Sequence, residues 1–206
     1  MITNPEIDAY ILNLLPPRDE VLAEMEAYAA AQGVPIIGPA VARLLAQLAM
    51  ISQSKRIFEL GSAIGYSTIW LARAAGEKGE IHYSDGGEEN ARRARAYFER
   101  AGVSDRIHIH SGDALEALAS VPGDFDLIFN DVDKEGYPDV LQAVPNRLKK
   151  GGIFVTDNTL WHGKVLVPQD KETRAVVDFD KKLFESKDFW NSIIPIRDGV
   201  TVSIRI

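Results

Sequence analysis

The sequence predicts one α/β domain, built on a mostly parallel seven-stranded sheet that ends in an antiparallel hairpin and carries helices on both faces. From Ser54 onward, short apolar runs alternate with amphipathic stretches of about 10 to 15 residues, the pattern of βαβ units. Near the end, Asp198-Gly199 separates two apolar runs and is typical of a two-residue hairpin turn. We expect residues 53–206 to form the α/β core and residues 1–52 to form helices.

Turn signals and periodicity place the elements in chain order. Helical patterns over residues 5–15, 19–31 and 39–51 are separated by Pro16-Pro17 and by a turn from Gly33 to Pro35. The proline at position 39 suits the first turn of a helix. Short apolar runs predict strands over residues 56–60, 80–84, 106–110, 125–130, 153–156, 193–196 and 200–206. Amphipathic stretches predict helices over residues 66–75, 88–101, 114–120, 137–148 and 171–185.

Composition and charge exclude several classes of protein. The 206 residues are 46% apolar and 26% charged and include no cysteine. We therefore expect one globular domain without disulfides, thiolate zinc sites or a cysteine nucleophile. A net charge of −7 disfavours broad binding to nucleic acid or anionic membranes. Glu6 and Asp8 lie where a secretion signal needs basic residues, and no apolar run reaches membrane-spanning length, so we expect a cytoplasmic protein.

Four aspartates follow predicted parallel strands at the same edge of the sheet. Asp85, Asp113, Asp131 and Asp157 each stand at or just past the carboxyl end of a strand, where open α/β sheets bind ligands. Capping of the next helix explains any one of these aspartates about as well as a ligand does. Four at one edge favour a binding site.

A glycine-containing loop joins the first strand to the helix after it. Residues 59–67 read ELGSAIGYS, and the glycines let the backbone approach a ligand closely. The loop has neither the dinucleotide motif G-x-G-x-x-G nor the Gly-Lys-Ser/Thr of a phosphate loop. A tight turn without a ligand is the alternative. Because Asp85 ends the next strand, where a carboxylate can hold a ribose diol, we interpret the pair as adenosine-binding.

Oxygen ligands follow two further strands. Asp131 comes after the fourth strand, and Asp157 and Asn158 come after the fifth. Because neighbouring parallel strands are about 4.8 Å apart, these side chains can converge. Three hard oxygen ligands suit Mg²⁺ or Ca²⁺ and leave coordination positions for substrate or water. Turns and helix caps explain either motif alone, but less well the two together.

The histidines predict no competing metal site. His108 and His110 share one strand face, but the sequence indicates no third ligand near them, so we expect both to be packed or at the surface. We expect the same of His82. His162 lies just past Asp157-Asn158, where a minority of such loop residues contact substrate. The absence of a G-x-S-x-G motif disfavours a serine hydrolase.

Three motifs together resemble the small, divalent-metal-dependent O-methyltransferases, the family of catechol O-methyltransferase and caffeoyl-CoA O-methyltransferase. They are ELGSAIGYS at 59–67, DVDKEGY at 131–137 and DNTLW at 157–161, and the similarity runs through nearly the whole chain. The resemblance implies a Rossmann-like class I fold that uses S-adenosylmethionine. It also implies Mg²⁺ or another hard dication such as Ca²⁺, a small catechol-like acceptor and a homodimer.

The resemblance also implies which residues bind the cofactor. Glu59, Gly61 and Ser67 would surround the methionine part, and Asp85 would hold the ribose hydroxyls. Asp113 and Ala114 would flank the adenine. Asp131 would lie near the cofactor's amino group as well as binding the metal, and Asp133 would lie on the cofactor side.

The metal and the acceptor would be held by the two later motifs. By the resemblance, Asp131, Asp157 and Asn158 bind the metal, Lys134 is the general base and Trp161 lies against the acceptor ring. The chemistry agrees, because a phenol has a pKa near 10 and a dication stabilises the phenolate at neutral pH. Two adjacent hydroxyls on the acceptor would chelate the metal and align one oxygen with the methyl donor.

Two other functions stay open. One is methylation of a hydroxylated nucleoside in tRNA, and the other is a non-catalytic cofactor-binding module. A local RNA-binding patch would use arginines of one helix, although pairing with neighbouring glutamates on a solvated face is the more common explanation for them. The arginines are Arg92, Arg93, Arg95 and Arg100, and the glutamates are Glu88, Glu89 and Glu99.

The N-terminal helices offer no motif for a particular acceptor. We expect residues 1–52 to contribute to the acceptor pocket or to a dimer contact. Ile7, Ile11, Leu14 and Leu15 recur at helical spacing and form an apolar stripe that could cover a partner subunit or this chain's own sheet.

Overall fold

The computed structural model describes residues 4–206 and contains one seven-stranded sheet. The strand order is β3-β2-β1-β4-β5-β7-β6, in which β1 to β5 run parallel and β7 runs antiparallel to both of its neighbours. The predicted fold class is confirmed, including the terminal hairpin. The strands are β1 Arg56–Leu60, β2 Glu80–Asp85, β3 Ile107–Ser111, β4 Phe125–Asn130, β5 Leu148–Thr156, β6 Phe189–Ile194 and β7 Val200–Arg205.

Helices cover both faces of the sheet. Residues of α2 to α5 pack into one apolar layer, which includes Leu45 and Phe98, and residues of α6 to α8 pack into the other, which includes Phe154 and Phe179. In the described part of the chain, no helix is long and apolar enough to cross a membrane. The helices are α1 Pro5–Leu14, α2 Glu20–Gln32, α3 Gly38–Ile51, α4 Tyr66–Ala75, α5 Glu88–Arg100, α6 Ala114–Ser120, α7 Tyr137–Ala143 and α8 Lys171–Glu185.

Three element boundaries differ from the sequence prediction by several residues. Helix α7 ends at Ala143 instead of residue 148, because Pro145 lacks the N–H group that a continuing helix needs. Strand β5 begins at Leu148 instead of residue 153, and β6 begins at Phe189 instead of residue 193. The extra residues of β6 are ordered by their pairing with β7, in which Phe189 lies opposite Arg205.

The prediction that no third metal ligand lies near the strand histidines is wrong. His82 of β2 pairs in register with His108 of the edge strand β3, and Glu80 lies two residues before His82 on the same face. One potential ligand atom from each of these three side chains lies within 4.8 Å of the others. His82 is packed, as predicted, and burial lowers the pKa of its ring to about 4.

Candidate active site

The site forms where β1, β4 and β5 end side by side. Leu60 is level with Asn130, and Asn130 is level with Thr156. The backbone N–H of Asp131 donates to the carbonyl of Leu60 over 2.8 Å, and the N–H of Asp157 donates to the carbonyl of Asn130 over 3.1 Å. These bonds continue the ladder one residue past the strands, so Asp131 and Asp157 occupy adjacent positions at one sheet edge.

Asp157 is a buried carboxylate with an unused oxygen. Its Oδ1 atom is buried and has no hydrogen-bond partner among residues 4–206. Burial, together with the charge of Asp131, raises the pKa of Asp157 to about 7. The next residue, Asn158, has a φ of +57° and turns the chain sharply after β5. A buried carboxylate oxygen without a donor, beside a second carboxylate, is the donor chemistry that a hard cation satisfies.

Lys134 lies directly against Asp131. Its Nζ donates to Asp131 Oδ1 over 3.2 Å and to the carbonyl of Val132 over 3.3 Å, and the side chain is buried. The ammonium also lies 4.9 Å from the ring centroid of Tyr137 and 5.4 Å from that of Trp161. Burial raises the pKa of Asp131, and the charge of Lys134 opposes that rise. One basic and one acidic group are thus held together beside an aromatic wall.

The β6–β7 hairpin fixes the loop that carries Asp157, Asn158 and Trp161. The N–H of Thr159 donates to the carbonyl of Gly199 over 3.0 Å, and the N–H of Leu160 donates to the carbonyl of Asp198 over 3.0 Å. Gly199 has a φ of +86°, and a Cβ there would lie 2.5 Å from the Leu160 side chain. Only glycine fits this contact, so the Asp-Gly turn supports the site as well as the hairpin.

His162 faces this hairpin. Its backbone N–H donates to the carboxylate of Asp198, and its Nδ1 lies 3.3 Å from the same oxygen. The side chain is 56% exposed. These contacts tie His162 to Asp198, and a contact with substrate stays a prediction.

The loop after β1 approaches the end of β4 closely. Gly61 has a φ of +78°, and a Cβ on it would lie 2.6 Å from the backbone oxygen of Asp131. Beneath the loop, Glu59 is fully buried, and its two carboxylate oxygens accept hydrogen bonds from the hydroxyls of Ser67 and Thr68. Burial raises the pKa of Glu59 to about 7. Glu59 thus anchors the first turn of α4 under the loop.

Asp85 ties this loop to the end of β2. Its Oδ2 accepts from the N–H of Ala63 over 2.9 Å, and its Oδ1 accepts from the N–H of Gly87 over 2.9 Å and from Asn90 Nδ2 over 3.0 Å. The carboxylate is half-buried and borders the loop.

Asp113 is the N-cap of α6. Its Oδ1 accepts from the N–H groups of Leu115 and Glu116 over 2.9 and 2.8 Å, which caps α6, whose first residue is Ala114. Asp133 is exposed beside Lys134. The proposed contacts of Asp113, Ala114 and Asp133 with a cofactor stay predictions.

Two residues of the site were missed by the sequence analysis. The hydroxyl of Tyr137 donates to the backbone carbonyl of Asp157 over 2.6 Å, and the positive charge of Arg197 opposes the raised pKa of both Asp131 and Asp157. Tyr137 ends the DVDKEGY motif, which was a usable signal. Arg197 directly precedes the Asp-Gly turn, and no neighbouring residue in the sequence indicates that it lies near Asp131 and Asp157.

A cavity of about 250 Å³ opens beside Arg197. It lies between α1, the start of α3 and the β6–β7 turn, and its walls are mostly apolar. The residues that line it include Asp8, Ile11, Leu12, Ile37, Pro39, Ile196 and Arg197. Arg197 is the residue common to this cavity and to the aspartate pair, since its positive charge opposes the raised pKa of both Asp131 and Asp157.

Three of the four arginines of α5 are paired with glutamates. Arg92 and Arg93 both form ion pairs with Glu89, and Arg100 forms one with Glu24 of α2 over 2.6 Å. This is the solvated-face arrangement, although the partner of Arg100 is Glu24 and not the expected Glu99. The pairing leaves less free positive charge for RNA.

An open sheet with this strand order, a glycine loop after its first strand and an acid at the end of its second defines the class I methyltransferases. The chain belongs to the O-methyltransferase family, whose family model matches residues 17–206. The chain thus belongs to a family of enzymes with the methyltransferase fold, which favours an enzyme over a non-catalytic module.

Individual relatives agree with this assignment. The chain is 35% identical to catechol O-methyltransferase of Mycobacterium tuberculosis over 169 residues, which cover 81% of this chain and 77% of that protein. It is 31% identical to caffeoyl-CoA O-methyltransferase 1 of Arabidopsis thaliana over 178 residues, covering 80% and 69%. The crystal structure of an O-methyltransferase from Bacillus cereus in complex with SAH matches with a TM-score of 0.90 and 27% identity over 100% of both chains.

Proposed function

We propose that this protein transfers the methyl group of S-adenosylmethionine to a hydroxyl of a small vicinal dihydroxy-aromatic acceptor, and that the reaction depends on a divalent metal. One observation carries the proposal. Asp131 and Asp157 lie at adjacent strand ends, one against the buried Lys134 and the other with an unpaired buried oxygen. Relatives named as catechol and caffeoyl-CoA O-methyltransferases support the same acceptor class.

Asp131, Asp157 and Asn158 are the residues that would hold the metal. Their oxygen donors fit Mg²⁺ or another hard dication, and three protein ligands leave positions for two acceptor oxygens. When bound, such an ion supplies Lewis-acid stabilisation of the phenolate form of the acceptor. The protein contributes the position of these side chains, which the strand ends and Tyr137 fix.

Lys134 is the residue that we assign to the proton of the acceptor hydroxyl. Its Nζ is 3.2 Å from Asp131, so an oxygen held beside Asp131 would be within its reach. The acceptor oxygen forms a bond to the methyl carbon and the carbon–sulfur bond of the donor breaks. Lys134, as the neutral amine, takes the hydroxyl proton and becomes an ammonium. The products are the methyl ether and S-adenosylhomocysteine, and no covalent enzyme intermediate is needed.

The donor would lie along the loop after β1. In the proposed arrangement Gly61 and Ser67 border the methionine part. Asp85 holds the ribose hydroxyls, since a carboxylate has about four acceptor positions and the bonds from Ala63, Gly87 and Asn90 leave one of them free. Glu59 supports the loop from beneath through Ser67. The SAH complex of the Bacillus cereus relative supports this choice of donor.

The acceptor would enter the cavity between α1, α3 and the β6–β7 turn. Its apolar walls suit an aromatic body. The role proposed for Trp161, stacking on the acceptor ring, requires the acceptor to reach beyond the residues that line the cavity. Residues 1–52 would thereby contribute to the acceptor pocket. Helix α1 also exposes Ile7, Tyr10 and Leu14, on which the proposed homodimer contact would depend.

The test is methyl transfer to a panel of small catechols, followed as release of S-adenosylhomocysteine with Mg²⁺ or with EDTA. We expect release that requires Mg²⁺ and is lost in Asp157→Ala. Asp178→Ala is the matched control, since Asp178 is half-exposed on α8 and contacts Lys182. Release that is equal with EDTA would refute the metal dependence. Release with tRNA, and none with any catechol, would establish the hydroxylated nucleoside as acceptor instead.

A further inference from the structure

We propose a second metal site, formed by Glu80, His82 and His108 on β2 and β3, that takes a late transition-metal dication such as Zn²⁺. One ligand atom from each side chain lies within 4.8 Å of the other two. In a tetrahedral zinc site with bonds of about 2.0 to 2.2 Å, neighbouring ligand atoms are about 3.4 Å apart. Small side-chain rotations therefore suffice to bring the three atoms into one coordination shell.

Strand register builds the cluster. His82 and His108 are paired residues on adjacent parallel strands, so their side chains leave the same face of the sheet, and their ring centroids are 4.8 Å apart. Glu80 precedes His82 by two residues and therefore shares its face. The cluster is set by the backbone of two paired strands, which is a more rigid support than a loop.

His110 orients the ring of His82, one of the proposed ligands. The Nδ1 atom of His82 is 3.0 Å from Nε2 of His110, while the Nε2 atom of His82 points to Glu80. Histidines that ligate a metal usually use their other ring nitrogen in such a hydrogen bond, which fixes the ring and its tautomer. His110 would accept the Nδ1 proton of His82 and leave Nε2 free for the metal.

Glu80 is already held in place by a cation. Its Oε1 lies 2.7 Å from His82 Nε2 and 3.1 Å from Arg56 Nε. The bound ion would replace the proton shared between Glu80 and His82. The charge of Arg56 opposes a second cation, so we expect the site to bind more weakly than a zinc site without a neighbouring arginine.

The cluster is separate from the candidate active site in position and in chemistry. Glu80 begins β2 and Asp85 ends it, which puts them about 17 Å apart along the strand. Two imidazole nitrogens select zinc-like ions, whereas the oxygen ligands Asp131, Asp157 and Asn158 select Mg²⁺ or Ca²⁺. The two sites can therefore be titrated independently.

Zinc binding to the full-length protein tests this proposal. Equilibrium dialysis against Zn²⁺, with Mg²⁺ at saturating concentration, should give one more bound equivalent in the wild type than in His108→Ala. Because His108 is exposed on the edge strand, this variant keeps the packed residues intact. His162→Ala is the matched control, since it removes an exposed histidine outside the cluster and should leave the zinc stoichiometry unchanged.

A second measurement distinguishes zinc binding at this cluster from nonspecific zinc binding at the surface. Zn²⁺ should raise the Tm of the wild type but not that of Glu80→Gln, which keeps the size of the side chain and removes its charge. The proposal fails if His108→Ala binds as much zinc as the wild type, or if zinc shifts the Tm of Glu80→Gln equally. Neither result depends on methyl transfer, so failure here would leave the proposed function untouched.

Discussion

The hydroxyl of Tyr137 donates a 2.6 Å hydrogen bond to the backbone carbonyl of Asp157, across the gap between α7 and the end of β5. Both groups are buried, and the Tyr137 ring packs edge to face against Phe179, with centroids 5.2 Å apart. The proposed base motif and the proposed metal-binding loop are therefore joined by one bond. Moving either segment would move the other.

Tyr137→Phe removes that bond and keeps the ring packing. We expect a loss of about 1 to 2 kcal/mol of unfolding free energy, because the carbonyl is left buried without its partner. We also expect the Mg²⁺ concentration for half-maximal activity to rise about 10-fold, as for other residues that orient a metal ligand. Tyr83→Phe is a matched control, since Tyr83 donates a bond of the same length, 2.6 Å, to the carbonyl of Ala63 in the loop after β1 and not to the Asp157 loop. An equal change in Mg²⁺ requirement in both variants would contradict the proposed role.

Lys134→Gln tests the assignment of the base. Activity should fall by about 10²-fold to 10⁴-fold in kcat, the range typical of a lost general base, while affinity for S-adenosylmethionine stays the same. Lys164→Gln offers the comparison, because Lys164 Nζ also lies over the Trp161 ring, at 5.7 Å, but its side chain is half exposed. Stopped assays at several pH values measure kcat for both variants. Wild-type turnover in Lys134→Gln would exclude this lysine as the base.

Gly61→Ala tests the close approach of the cofactor loop to β4. The added methyl group would lie 2.6 Å from the Asp131 carbonyl, so we expect a loss of stability and of cofactor affinity. Gly33→Ala separates this clash from backbone strain, because Gly33 has a similar φ of +67° and open space around its Cβ position. We expect a cost of about 1 kcal/mol for Gly33→Ala and at least twice that for Gly61→Ala, as measured by urea unfolding. Equal costs would mean that the approach is not tight.

Asp180→Asn should stabilise the protein at alkaline pH. The Oδ1 atom of Asp180 is buried without a hydrogen-bond partner in the described chain, and burial raises the pKa of this carboxyl to about 7. The folded state thus holds the proton more tightly than the unfolded state does. Its contribution to stability is complete below about pH 4 and is lost as the pH rises from about 4 to 7.

We expect the asparagine variant to gain about 2 kcal/mol of unfolding free energy at pH 8 and less at pH 5. Urea unfolding at the two pH values measures this difference. Asp178→Asn on the same helix is the control, since Asp178 is half exposed and paired with Lys182 over 2.7 Å, and it should bring no gain. A gain that does not depend on pH would show that the charge of Asp180 is not the cause.

The sequence pattern was sufficient to predict the position of a site residue that directly follows its own strand. Asp131 and Asp157 could be predicted as neighbours because each directly follows a strand of a parallel sheet. The start of β6 could not, because Asn191 and Ser192 interrupt the apolar run and only the pairing with β7 extends the strand. Boundaries of this kind depend on tertiary contacts.

The missed site residues have the same cause. Arg197 comes near the aspartates because the hairpin folds back over the Asp157 loop, a relationship between segments about 40 residues apart. Glu80 joins His108 only through the register of β2 on β3. Neither the fold class nor helical or strand periodicity specifies such a register. The sequence therefore predicts the strands and the loop but not these contacts between them.

The position of β7 between β5 and β6 affects how the protein matures during translation. Strand β6 leaves the ribosome before β7, yet β7 is its partner in the sheet. Until β7 emerges, β5 and β6 both present unsatisfied backbone edges, and the Trp190 side chain on β6 is 75% exposed even in the finished fold. The Asp157 loop also lacks the turn that holds it. A nascent chain without β7 would thus contain every proposed metal ligand but not the turn that holds their loop, and its unpaired strand edges would favour aggregation.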